Sequence, residues 1–232
     1  MTGDAEPGLG LYDTSSKPFV PSPQSQEVMR LGIFGGSFDP VHRGHLLLAE
    51  CCLLQASLEE LWFVPAASQP LKPGGPEAED KHRLAMLNLV ANARSKFEVS
   101  SLELDRGGVS YTAETLEAIQ IQHPGAELFF PMGADSLADL PRWHRAADVC
   151  RLAVPLVVHR AGNTQPDFAA LEKITTAERL DLIRQSQIEM PATPISSTQI
   201  RQQIASDGEW EDDVLPEVAA YIRQHELYGN MC

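Results

Sequence analysis

The sequence predicts an α/β protein, a doubly wound parallel sheet with helices on both faces, and three observations carry that reading. From Arg30 onward, short strand-like runs alternate with longer helix-like runs. The strand-like runs are apolar throughout instead of alternating, as strands buried on both faces are. Each segment rich in Gly, Ser, Thr or His falls just after a strand or just before a helix. Strand–helix alternation with right-handed crossovers makes such a sheet doubly wound, and it takes ligands beyond the carboxyl ends of its strands, where strand order reverses.

The elements follow in order. Residues 1–28 carry Pro7, Pro18, Pro21 and Pro23 among Gly, Ser and Gln and have little to bury, so they read as a disordered extension ahead of one domain over 29–232. The expected strands are Leu31–Phe34, Leu61–Val64, Leu102–Leu104, Leu128–Met132 and Leu152–Val158. The expected helices are His45–Gln55, Arg83–Ala93, Thr112–Gln122, Ser197–Ala205 and Glu217–His225. In the first helix, Leu46, Ala49 and Leu53 share a face. Pro65 to Pro76 is a Pro- and Gly-rich loop with Lys72 as its only cation. Ser136 and Asp139 have capping-box spacing, as do Ser196 and Gln199, and Gly208 is a suitable stop for the late helix.

Composition narrows the function classes. A net charge of −14 over 232 residues argues against a general nucleic-acid binder but leaves room for one cationic pocket on an acidic surface. Cys51, Cys52, Cys150 and Cys232 form no CxxC pair and read as reduced thiols of a cytoplasmic protein. No apolar run approaches the ~18 residues of a membrane span, and no signal peptide is read at the N-terminus.

Two segments carry chemistry. Phe34-Gly35-Gly36-Ser37-Phe38-Asp39-Pro40-Val41-His42-Arg43-Gly44-His45 runs from a strand through a glycine turn into a helix start. An isolated histidine there is ordinarily a cap or a core residue, and HxxH without a third ligand is a weak metal signal. Two imidazoles beside a glycine turn and a helix N-terminus instead suit phosphate, because imidazoles donate and helix starts favour anions. Ile195-Ser196-Ser197-Thr198-Gln199-Ile200-Arg201 adds hydroxyls, a second helix start and a guanidinium fork.

GGSFDPVHRGH followed late by ISSTQIR resembles the HxGH nucleotidyltransferase superfamily. Ser110-Tyr111-Thr112-Ala113-Glu114-Thr115-Leu116, Gly133-Ala134-Asp135-Ser136-Leu137 with Pro141-Arg142-Trp143, and the terminal Leu215-Pro216-Glu217…Leu227-Tyr228 resemble segments of its bacterial nicotinate-nucleotide adenylyltransferases. The resemblance spans about Met29 to Tyr228. It implies a single Rossmann-like domain that transfers the adenylyl group of ATP to nicotinate mononucleotide, giving nicotinate adenine dinucleotide and pyrophosphate for NAD biosynthesis.

The resemblance also implies roles. His42 and His45 would contact the ATP phosphates, with His45 the main donor in the transition state. Gly35, Gly36, Ser37 and Phe38 would let the backbone approach the nucleotide, Asp135 would help position it, and Ser196, Ser197 and Arg201 would hold the departing phosphates. Lys72, Tyr111, Thr112 and Trp143 would bind nicotinate mononucleotide, Trp143 by stacking on the pyridine ring. No protein metal site is read; Mg²⁺ would arrive on the ATP phosphates. Two departures stand out. Gln69-Pro70-Leu71-Lys72 has leucine where the family often has histidine, and position 144 is His where Tyr is common. Arg83 is open to either a phosphate or a structural role. The alternatives are nicotinamide mononucleotide or phosphopantetheine as acceptor, or a non-catalytic nucleotide sensor. Oligomeric state is open.

Overall fold

The computed structural model describes residues 28–70, 74–160 and 166–229. Its elements run β1 (Arg30–Gly36), α1 (Arg43–Gln55), β2 (Glu60–Pro65), α2 (Asp80–Ala91), β3 (Phe97–Val99), α3 (Leu102–Arg106), α4 (Thr112–Gln122) and β4 (Glu127–Gly133). They continue with α5 (Ala134–Asp139), α6 (Ala146–Leu152), β5 (Ala153–Arg160), α7 (Ala177–Gln185), β6 (Ile188–Met190), α8 (Ser197–Ala205) and α9 (Pro216–Gln224). The expected extension over 1–28 lies outside the described residues save for Val28. Among the described residues no helix is long and apolar enough to cross a membrane.

All pairings are parallel, in the order β3-β2-β1-β4-β5-β6, which reverses direction between β1 and β4. This is the doubly wound, Rossmann-like arrangement predicted. The reversal point is also where the sheet parts. β1 stays in register with β2 from Leu31↔Glu60 to Gly36↔Pro65, yet pairs with β4 only from Arg30↔Glu127 to Gly32↔Phe129. Arg30 pins the closed end, 2.6 Å from Glu127 and stacked over Phe129. Beyond Gly32 the two strands separate, and a crevice opens between Phe34–Gly36 and Phe130–Gly133.

The floor beneath that crevice is aromatic. Phe63 packs against Phe34, Phe38 and Phe97 with ring centroids 5.3–5.6 Å apart, mostly edge to face. Phe38 sits at a positive φ of 49°, a conformation a bulky residue adopts only when its surroundings hold it. Here the ring is fully buried against Phe34 and Phe63. Gly36 makes room for it, since a Cβ there would meet the Phe38 ring at 2.8 Å.

Several expectations need correction. Leu102–Leu104 is helical, not a strand: Glu103, not the leucines, is its most buried residue, and Gly107 at φ 67° ends the turn. The third strand is the three-residue Phe97–Val99, too short to show a pattern. Ser136 caps nothing, because β4 runs straight through Gly133 into α5 and leaves Ser136 inside the helix. In α1 the buried face is Leu46, Ala49 and Cys52, with Leu53 only partly covered. Ser196 does cap α8, accepting from Gln199 N at 3.2 Å. The helix is stopped by Asp207 at φ 52°, and Gly208 N–H then closes onto Gln203 O at 2.7 Å.

Candidate active site

The crevice is a cavity of about 1040 Å³, at the upper end for one ligand and roomy enough for two reacting together. One wall is the turn after β1, from Gly35 to Asp39 with His45; the second is α8, through Ser197, Thr198 and Arg201. The third is the α3–α4 region with Trp143, and it contributes Glu103, Ser110, Tyr111, Thr112, Trp143 and His144. A Cβ on Gly35 would meet only Phe130, at 3.7 Å, so packing does not demand glycine there. Its missing side chain leaves backbone bare to the cavity, as a close ligand approach requires.

His42 is the N-cap of α1, and its ring stacks on His45 with centroids 3.7 Å apart. His42 is only 7 % exposed, and burial pulls its pKa down to about 4, so it is neutral at pH 7. Its backbone N–H donates to His45 Nδ1 at 3.3 Å. An Nδ1 that accepts leaves Nε2 of the neutral ring carrying the proton, so His45 presents a donor. Gly44 permits the stack, because a Cβ there would lie 3.0 Å from His42 Nδ1.

The turn is held from below by Asp39 and Tyr228, for which no role was expected, and by Arg83 and Arg201. Asp39 is 2 % exposed; its Oδ2 accepts from Glu77 N at 2.6 Å, and its Oδ1 accepts from Ala78 N at 3.1 Å and from Tyr228 Oη at 2.8 Å. Burial and the adjacent Asp39 carboxylate raise the Tyr228 phenol far above its usual range, so it stays a donor. Arg83, fully buried, donates to Ser37 O and Ala66 O at 2.7 Å each and joins the ends of β1 and β2. That settles its open role as structural. Arg201 donates through Nε to Glu77 and through Nη1 to Asp39 O at 2.7 Å. A guanidinium has five N–H groups, so three remain.

Other predicted residues fall as follows. Gly35, Gly36, Ser37, Phe38, His45, Ser197, Arg201, Tyr111, Thr112 and Trp143 all line the cavity. His42 is not among the residues lining the cavity; it is buried and stacked on His45. Ser196 spends its hydroxyl on the α8 cap, and Ser197 Oγ donates to Pro40 O at 2.9 Å, tying α8 to the turn. Asp135 falls in the first turn of α5. Lys72 and Leu71 lie outside the described residues. Trp143 packs edge to face on Phe130 at 5.9 Å, and His144 leans on Tyr111 at 4.4 Å.

Residues 33–203 match the model of the cytidylyltransferase-like family. A probable nicotinate-nucleotide adenylyltransferase of Rhodopirellula baltica is 41% identical over 207 residues, 89% of this chain and 96% of that protein. The chain belongs to the nicotinate-nucleotide adenylyltransferase family. A relative of the same name from Roseiflexus sp. (strain RS-1) is 43% identical over 85% of this chain and 97% of its own. The solved nicotinic acid mononucleotide adenylyltransferase of Plasmodium falciparum, complexed with NaAD, shares this family's fold here. It has a TM-score of 0.67 at 22% identity, over 86% of this chain and 97% of that one.

Two outcomes follow from the buried groups. Tyr228→Phe removes a donor from a buried carboxylate and should lower stability by about 1–3 kcal/mol in urea unfolding. His42 takes a proton at about 4 when folded and near 6.5 when unfolded. Between those values the unfolded chain binds more protons, so stability rises with pH and is lost as pH falls through that window. The loss attributable to His42 is on the order of 3 kcal/mol. Urea midpoints measured at pH 7 and pH 4.5 should converge in His42→Asn relative to the unaltered chain.

Proposed function

We propose that the chain transfers the adenylyl group of ATP to nicotinate mononucleotide, releasing pyrophosphate. The observation that carries this is the His45 imidazole, held as an Nε2–H donor on the wall of a two-ligand cavity whose opposite wall is aromatic. Membership of the family supports the acceptor.

The ionised phosphate of the mononucleotide attacks the α-phosphorus of ATP in line. The new P–O bond forms as the bond to the β-phosphate breaks, so no proton transfer and no covalent enzyme intermediate are needed. Rate then comes from positioning and from donors that meet charge as it grows. His45 Nε2–H faces the reacting phosphates, and His42, kept neutral, orients it without adding a like charge. Arg201, the Thr198 hydroxyl and the open backbone N–H groups at Ser197 and the start of α8 receive the departing pyrophosphate, with Asp135 and the Gly35–Phe38 backbone on the nucleotide. Tyr111, Thr112 and Trp143 enclose the nicotinate ring, and Lys72 supplies a cation to the acceptor.

The polar lining suits phosphate oxygens better than a bare cation, since it is mostly neutral or cationic donors. Of the lining carboxylates, Asp39 has both oxygens occupied, Asp139 pairs with Arg142 at 3.2 Å and Glu103 accepts from Thr115. Mg²⁺ therefore comes on the ATP phosphates, whose charge it offsets when bound. The free thiols of Cys51, Cys52 and Cys150 support a cytoplasmic setting.

Pyrophosphate release measured with three acceptors tests the assignment. Nicotinate mononucleotide should outpace nicotinamide mononucleotide and phosphopantetheine by at least about tenfold, because an unpaired buried donor penalises the amide. Equal rates on the amide would refute the narrow assignment, and ATP binding without pyrophosphate release would mark a sensor. His45→Ala should lose on the order of 10²–10³ in kcat while both KM values move only a few-fold.

A further inference from the structure

The cavity holds one buried carboxylate that the mechanism leaves unused. Glu103, on α3, is 6 % exposed and lines the same cavity as Tyr111, Thr112 and Trp143. Its Oε1 lies 2.6 Å from Thr115 Oγ1. Thr115 Oγ1 in turn lies 3.2 Å from Arg106 Nη2. Arginine can only donate, so Thr115 accepts from Arg106, and its single proton goes to Glu103 at 2.6 Å in preference to Tyr111 O at 3.4 Å. Arg106 to Thr115 to Glu103 is thus a one-way relay that ends on a carboxylate acting as acceptor.

An ionised carboxylate is an unfavourable neighbour for the phosphates of ATP or of a mononucleotide, and for a ring carboxylate. What it suits is a pair of neutral hydroxyl donors. In a nucleotide only the ribose carries them, and carboxylates reading ribose hydroxyls are a recurrent device of doubly wound folds. Position decides which ribose. Thr115 sits one turn beyond Tyr111 on α4, at the aromatic end, whereas Ser197, Thr198 and Arg201 belong to α8 at the phosphate end.

We propose that Glu103 is a substrate-binding residue that accepts hydrogen bonds from the ribose hydroxyls of the acceptor mononucleotide, its orientation set by Thr115 and Arg106. This rests on the acceptor reading above and adds to it a requirement for the acceptor's sugar. The relay leaves Oε1 committed to Thr115, so Oε2 takes the ligand. Hydrogen bonds to a charged acceptor are the strong kind, so losing them should be felt in affinity.

Calorimetric titration of the full chain tests this with nicotinate mononucleotide, the same compound lacking its 2′- and 3′-hydroxyls, ATP and 2′-deoxy-ATP. The unaltered chain should bind the complete mononucleotide at least about tenfold more tightly than the dideoxy form. Glu103→Met should bring that ratio to within about twofold. Should Glu103→Met fail to fold, Glu103→Gln, which keeps the shape, should cut the ratio at least about threefold. Thr115→Val, which removes only the relay, should retain a ratio above that of either Glu103 variant. Equal affinity of the unaltered chain for both mononucleotides overturns the proposal while leaving the substrate assignment intact. So does a ratio unchanged in the Glu103 variants, or a penalty confined to 2′-deoxy-ATP. No binding of nicotinate mononucleotide at all overturns the substrate assignment, and this proposal with it.

Discussion

The site depends on a carboxylate that never reaches the cavity with a free oxygen. Asp39 is buried in the turn between β1 and α1, where a charge is tolerable only when hydrogen-bonded on all sides. The carboxylate's partners come from two distant places, the amides of Glu77 and Ala78 at the end of the Pro- and Gly-rich loop and the phenol of Tyr228 near the end of the chain, while Arg201 on α8 holds the backbone carbonyl of the same residue. These ties join the turn to α8 and to two segments outside the cavity lining. Loss of the Glu77, Ala78 or Tyr228 bond leaves a buried carboxylate short of a partner, and loss of the Arg201 bond frees α8 from the turn.

On that frame the histidine pair acquires its character from burial. Stacking at 3.7 Å would be unfavourable for two imidazolium rings, but desolvation keeps His42 neutral. Neutrality lets His42 serve as a spacer whose backbone N–H selects the tautomer of His45. The second imidazole of the motif is thereby buried against the first instead of lining the cavity. The parting of β1 from β4 beyond Gly32 supplies the other requirement, space at the one place in the sheet where two adjacent strands send their chains to opposite faces.

Much of this was legible in the residues. The α/β alternation, the parallel sheet, the helix over Thr112–Gln122, the Ser196 cap and both chemistry-bearing segments were all readable, because periodicity and caps are local signals. The errors were local too. A five-residue helix mimicked a strand at Leu102–Leu104, β3 and β6 were too short to carry a pattern, and a capping-box spacing at Ser136 fell inside a helix that a strand had already started.

By itself the sequence determined the family, the fold class and the chemical kind of the site, since glycine turns, helix starts and donor types are written within a few residues of one another. Only the tertiary structure decided how those donors are used: that His42 is stacked against His45, that Arg83, Asp39 and Tyr228 are braces, and that Glu103 faces the site at all. The physical reason is range. Burial, tautomer choice and hydrogen-bond satisfaction are set by contacts between residues up to 189 positions apart, as Tyr228 is from Asp39, and no local pattern encodes them.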